Sequence, residues 1–145
     1  MIGSIVRSVV AVVLGLIAAM IFIVAVEFAS SIVHPFPPGL DPTSNDDMKA
    51  HVAAFPAWVL LLVVPAWGLA TLVSSWLATR LGSGRHLAHG IVVGSILLAA
   101  AVANMLMLPY PIWFWVGNLV VFPVGFILGA KLAQPRSSTG QSAAA

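Results

Sequence analysis

Glu27, Ser30, Ser31 and His34 recur at i, i+3, i+4 and i+7, a spacing that puts all four on one stripe of a helix. A carboxyl, two hydroxyls and an imidazole so placed could pass a proton, hold a cationic solute, or pair with polar groups on a neighbouring helix. Glu27 stands behind a long apolar run, and an ionisable residue in such a run is by default a candidate functional group. Asn104 and Asn118 are also set inside apolar runs. Carboxamides crossing from neighbouring helices can satisfy a buried carboxyl by hydrogen bonds, the condition for keeping one out of water. We therefore expect Glu27, Ser30, Ser31, His34, Asn104 and Asn118 to gather in one polar cluster. It is read first as a satisfied structural cluster, and alternatively as a proton-exchange or cation site.

Other chemistries find less support. His34, His51, Asp46 and Asp47 match no compact metal motif, and aspartates beside a helix start more often serve as caps. His86 and His89 form an i, i+3 pair beside Arg85, but two ligands without a third make no metal site. They read better as a basic edge near anionic headgroups. The chain has no cysteine, which excludes disulfides, thiolate metal sites and cysteine nucleophiles. It also lacks a phosphate loop with lysine, a nucleophile elbow and a HExxH pair. No enzyme, cofactor or metal is expected.

The elements that must position these residues follow from composition. Of 145 residues, 61% are hydrophobic and 7% charged, and mean hydropathy is +1.08. Soluble domains carry about 25% charged residues, so lipid is the expected solvent. Four runs are long enough to cross a hydrocarbon core as helices, at about 8–33, 57–79, 87–108 and 112–130. The fold class is an all-α membrane protein, with four transmembrane helices in two antiparallel hairpins within residues 1–133. The first run exceeds the ~7–15 residues of a signal-peptide core, and Glu27-Phe28 makes a poor cleavage site, so it is read as uncleaved.

Charge gives an orientation. Arg7, Arg80, Arg85, Lys131 and Arg136 flank one side, whereas Lys49 and all four acidic residues belong to the other. The positive-inside rule then puts both termini in the cytoplasm and the loop 34–55 outside. Six basic residues are too few, and too well explained, to suggest nucleic acid. Phe55, Trp58, Tyr110, Trp113 and Trp115 would form an outer aromatic belt. Trp58 and Trp76 share a helix face, and Trp67 lies opposite, pointing into the bundle.

In the outer loop, His34-Pro-Phe-Pro-Pro-Gly cannot continue a helix. "SNDDMKAHVAAFP" then reads as a short surface helix, capped by Ser44 with Asp47, with Met48, Val52 and Phe55 on its apolar face. The tail 134–145 reads as disordered. "GIVVG" (Gly90, Gly94) and "GFILG" (Gly125, Gly129) are small-residue motifs, expected to pack the last two spans on each other rather than to form a homodimer seam. The second and fourth spans echo one another, each opening aromatic-Pro-x-Trp with a later proline (Pro65, Pro123) and a closing cation; a repeat of two parallel hairpins would give that pattern.

The runs "EFASSIVHPFPPGLD", "FPAWVLLLVVPAWGLATLVSSWLATRL" and "LMLPYPIWFW…GAKLA" resemble a group of small bacterial four-span proteins of unknown function. In that group a first-helix glutamate precedes a PPGLD turn, and the last hairpin turns at Pro-x-Pro-x-Trp. The resemblance covers most of the chain except the tail. It implies an inner-membrane location and four helices, and no activity. Small multidrug exporters also have four short helices and a first-helix glutamate. Here Glu27 is too near the outer end, the charge bias fixes one topology, and the Pro-rich loop is foreign to them.

The leading expectation is an inner-membrane protein with an accessory or structural role. The alternatives are a small proton-coupled transporter or channel using Glu27, and a membrane enzyme with an outward-facing site. The expected partners are the bilayer and either another protein or a second copy of the chain.

Overall fold

The computed structural model describes residues 2–135, the side chain of Arg85 excepted; the tail 136–145, with Arg136, lies outside the described residues. The described residues form five α-helices and no strand: α1 (Ile2–Val33), α2 (Asn45–Ala53), α3 (Ala57–Leu81), α4 (Leu87–Met107) and α5 (Ile112–Ala133). All but α2 are long and apolar enough to cross a membrane. The protein is an all-α, four-span, multi-pass membrane protein.

The helices run further toward the basic residues than hydropathy alone indicates. α3 continues through Arg80 to Leu81 and α5 through Lys131 to Ala133. A cation in the last turn is favoured by the helix dipole, so the charge that closes the apolar run extends the helix. α1 begins at Ile2 and has 32 residues, about 48 Å against a hydrocarbon core of about 30 Å. Pro65 and Pro123 lie inside helices, as membrane helices tolerate when neighbours satisfy the freed backbone groups.

Two contacts level the bundle. Arg7 Nε donates to the Leu81 carbonyl at 2.8 Å, and His89 Nε2 lies 2.9 Å from Ser8 Oγ. The start of α1, the end of α3 and the start of α4 therefore share one end, the basic end. The opposite end carries the loop 34–56 with Asp41, Asp46 and Asp47. In cross-section the spans form a diamond with the perimeter α1–α3–α5–α4, and α3 and α4 touch across its middle. α1 and α5 occupy the far corners, and α1 meets α4 along the thinnest of the seams between adjacent spans. Exchanging the two hairpins would require α1 to touch α5 as α4 touches α3. The packing is not symmetric in that way.

Small residues set the helix spacing. α1 buries only Ala11, Gly15, Ala19 and Ser30, and the first three form a stripe at four-residue intervals. A Cβ on Gly15 would lie 3.0 Å from Ala78 Cβ and 3.1 Å from Val93 Cγ2. Gly90 and Gly94 face α5, at Ala130 and Phe126, with Gly90 also against Ser75 and Thr79 of α3. Gly125 and Gly129 depart from expectation, because they press on the backbone of α3, at Gly68 and Leu72, and not on α4. α3 accepts neighbours on several sides because Gly68, Thr71, Ser74, Ser75, Ala78 and Thr79 are all buried on it. Thr71 and Ser74 return their hydroxyl protons to the carbonyls of Trp67 and Ala70, which makes them small and locally satisfied.

Candidate functional site

The depth of Glu27 follows from the level fixed by Arg7 and Leu81. Glu27 is twenty residues above Arg7, about 30 Å along α1, which puts it at the edge of the hydrocarbon rather than its centre. Trp67 is fourteen residues above Leu81 on the antiparallel α3, about 21 Å from the same level. Side chains lean toward their own helix N-terminus. Glu27 therefore leans down toward the basic end, Trp67 leans up from it, and the two converge. Asn104, fifteen residues above His89 on α4, comes to the same layer at about 22 Å.

Between these helices is a cavity of about 370 Å³. Glu27, Ser30, Ser31, His34 and Asn104 all line it, together with His51, Trp67 and Tyr110. Ser31 donates its proton to the Phe28 carbonyl, and Ser30 is buried. Four polar atoms at the cavity are buried without a hydrogen-bond partner among the described residues: His34 Nε2, His51 Nδ1, Trp67 Nε1 and Asn104 Oδ1. Trp67 and His51 are each only 8% exposed. Buried polar atoms are nearly always paired, and leaving one unpaired costs about 1–3 kcal/mol. Several orphans on one cavity thus mark it as a place where polar groups are presented rather than mutually satisfied.

The polar cluster is not self-satisfied as expected. Glu27 makes no hydrogen bond or ion pair with any described residue, so Asn104 and Asn118 do not neutralise it. Asn118 does not line this cavity: fully buried on α5, it donates Nδ2–H to the Phe114 carbonyl at 2.8 Å, and its Oδ1 has no partner. Nothing in the apolar run around Asn118 says which neighbour its face meets. α5 and α1 stand at opposite corners of the diamond.

The loop roofs the cavity. Ser44 caps α2 and accepts from Asp47 N at 3.4 Å, but Asp47 does not return the bond to Ser44; its Oδ2 accepts from Asp41 N at 2.9 Å. Asp41 Oδ1 accepts from both N and Oγ1 of Thr43, which holds the Asp41 carboxyl below its usual range. Gly39, at φ 94°, makes the turn after the prolines. The apolar face of α2, with Met48 and Val52 and then Phe55, turns onto the cavity rather than lying only along the bilayer surface. His51 stacks on His34 with ring centroids 4.7 Å apart and 15° between planes, and Phe36 and Phe55 pack around it. Burial, and then the neighbouring His34, push the His51 pKa down, so His51 is a neutral ring near neutral pH. Burial, with Glu27 nearby, pushes the Tyr110 phenol up to about 12. Tyr110 therefore remains a neutral hydrogen-bond donor.

His51, Trp67 and Tyr110 were not singled out for the site from sequence. His51 sits between Met48 and Phe55 at helical spacing, so its face was legible. Tyr110 reads as a belt residue, yet it stacks on Phe114 at 4.5 Å, which draws it inward. Trp67 points into the bundle as expected and meets Phe114 and Phe122 edge-on. At the basic end His89 is buried between α1 and α4, 3.0 Å from the His86 carbonyl through Nδ1, and serves to join helices. Among the described residues no group of three or more acidic or histidine side chains could hold a metal ion. No family model, curated protein or solved structure matches the chain.

Proposed function

We propose that the protein is a non-enzymatic accessory protein of a bacterial inner membrane, both termini cytoplasmic, which holds a small ligand in the cavity beneath α2. Arg7, Arg80 and Lys131 at one end, with Asp41, Asp46 and Asp47 at the other, support that orientation. The observation that carries the ligand reading is the set of four buried, unpartnered polar atoms on the cavity that also contains Glu27. A structural cluster would spend its polar groups on one another, whereas this one presents them to the cavity. Mass spectrometry of the protein purified in native lipid tests the reading, with Glu27→Gln in parallel. A stoichiometric small molecule retained by the parent and lost from the folded variant is expected. No retained molecule in either would overturn the ligand reading.

A second reading, transport, is favoured by one feature. The cavity continues past Glu27 between α1 and α4 as far as Met20, along the thinnest of the seams between adjacent spans. Below that, Gly15 sits close against Val93 and closes the path. A carrier would have to part α1 from α4 there. Proton-coupled uptake into liposomes that disappears in Glu27→Gln would establish transport; its absence leaves a binding protein.

A further inference from the structure

The space around Glu27 has two chambers that share Glu27, Trp67 and Asn104. The upper one, about 370 Å³, is the polar cavity beneath α2. The lower one, about 280 Å³, runs between α1 and α4 toward the basic end, walled by Met20, Ile23, Leu97 and Ala100. Only an amphiphile fills both. Its tail would lie in the apolar groove, and its head would sit where the shared residues meet, at the edge of the hydrocarbon.

The groups at that junction fix the sign of the head. Asn104 Oδ1 can only accept, and it is buried without a partner. The Glu27 carboxyl accepts and has no described partner. Among the described residues no cationic side chain lines either chamber: Arg7 is about 30 Å down the helix, and Lys49, which lines a separate neighbouring cavity with Asn104, is exposed and pairs with Asp46 at 3.9 Å. The two imidazoles above stack on one another, and His51 is held neutral by burial. The junction thus presents two acceptors, one of them a carboxyl, with no cationic side chain of the described residues lining it. Trp67 Nε1 can only donate and is equally unpartnered, so the head also offers an oxygen. Pairing with a cation also removes the cost of an isolated carboxylate next to hydrocarbon.

We propose that the two chambers together bind a lipophilic ammonium amphiphile: a protonated amine with a neighbouring hydroxyl or carbonyl oxygen and an apolar tail. This rests on the ligand reading above and adds the class. The ammonium meets Glu27 and Asn104, the oxygen accepts from Trp67, and the tail runs toward Met20. Glu27 is exposed on the side of α1, so such a molecule reaches the junction directly from the bilayer edge.

Isothermal titration of the full-length protein in detergent at pH 7.5 tests the class with four probes. These are 2-amino-4-phenylbutan-1-ol, 4-phenylbutylamine, 4-phenylbutan-1-ol and 4-phenylbutanoate. Both amines should bind saturably and about tenfold or more tighter than the alcohol, the amino alcohol best, and the carboxylate should not bind. Glu27→Gln should reduce the amines to the level of the alcohol. Ala100→Phe, which fills the groove from an exposed position on α4, should abolish binding of all four. Glu27 makes no described hydrogen bond and Ala100 is exposed, so both variants should elute and melt as the parent does. Equal affinity for amine and alcohol, or a preference that survives Glu27→Gln, overturns the ammonium class. If binding without charge preference is still lost in Ala100→Phe, the cavity is a ligand site and only the class is wrong. Binding of no probe also overturns the class, and leaves the native-lipid mass spectrum to judge the site.

Discussion

Replacing Gly125 by alanine tests the packing that holds the site in place. The added Cβ would lie 2.7 Å from the Gly68 carbonyl oxygen and 3.4 Å from Leu72 N, both backbone atoms that no rotamer change can move. Restoring an ordinary contact of 3.4 Å requires α3 and α5 to part by about 0.7 Å, the difference between the two distances. A gap of about 0.5–1 Å forfeits a quarter to a half of each dispersion contact along the opened seam. Overpacking of this kind costs about 1–3 kcal/mol. Alanine's helix propensity returns about 1 kcal/mol, so the net loss should be about 0–2 kcal/mol, and about 1–3 kcal/mol relative to a Gly→Ala change that meets no clash. Two controls calibrate it. A Cβ on Gly3 meets nothing within 4 Å, and one on Gly117 meets the movable Val64 Cγ1 at 3.2 Å. Gly3→Ala should be neutral or slightly stabilising, and Gly117→Ala close to neutral. Unfolding midpoints of the monomer, by heating or by titration with a denaturing detergent, read all three. Gly125→Ala as stable as Gly3→Ala would refute the α3–α5 contact; loss of a dimer with unchanged monomer stability would return the motif to a homodimer seam.

Three further outcomes follow from the geometry. Asn118→Leu removes a buried acceptor that has no partner together with the Nδ2–H bond to the Phe114 carbonyl, so the two effects offset and stability should change by no more than about 1 kcal/mol, and ligand retention should be unchanged because Asn118 does not line the cavity. Ser8→Ala removes the partner of His89 Nε2 between α1 and α4; a loss of about 1 kcal/mol is expected in the same unfolding assay, and no loss would mean that the contact is idle. His51 makes the roof sensitive to acid. Its pKa is lower in the folded protein than in the unfolded chain, so the unfolded state takes up the proton more readily. The contribution of His51 to stability is complete above about pH 6.5 and is lost as the pH falls to the depressed value. Hydrogen exchange across α2, corrected for its intrinsic pH dependence, should accelerate between pH 7.5 and 5, and His51→Phe should abolish the change; an unaltered rate would contradict the stacked pair.

Much of the fold was legible because lipid imposes a simple rule. Twenty apolar residues with no charge can only be a span, and the loop prolines and the cap at Ser44 bounded α2. The spacing of Glu27, Ser30, Ser31 and His34 likewise named a common stripe, and all four line one cavity. Lateral arrangement was not legible. A uniformly apolar helix has no polar face to say what it packs against, so Asn118 was assigned to the wrong neighbour and Gly125 and Gly129 to the wrong helix. The small residues that decide the matter were visible as Ala11, Gly15 and Ala19, and as Thr71, Ser75 and Thr79. In an apolar context, however, such residues read equally well as filler. His51 was missed as a site residue for a different reason, since only the fold of the Pro-rich loop stacks it on His34.

The central claim is that a polar, ligand-accepting cavity opens at the outer face of the membrane. The chain contains no cysteine, so Ser31→Cys supplies a single reporter on the cavity wall at an exposed position. Intact cells treated with a membrane-impermeant maleimide should label it, and prior addition of 2-amino-4-phenylbutan-1-ol should slow the reaction. Labelling only from the cytoplasmic side of inverted vesicles, or no labelling until the protein is denatured, would contradict the account.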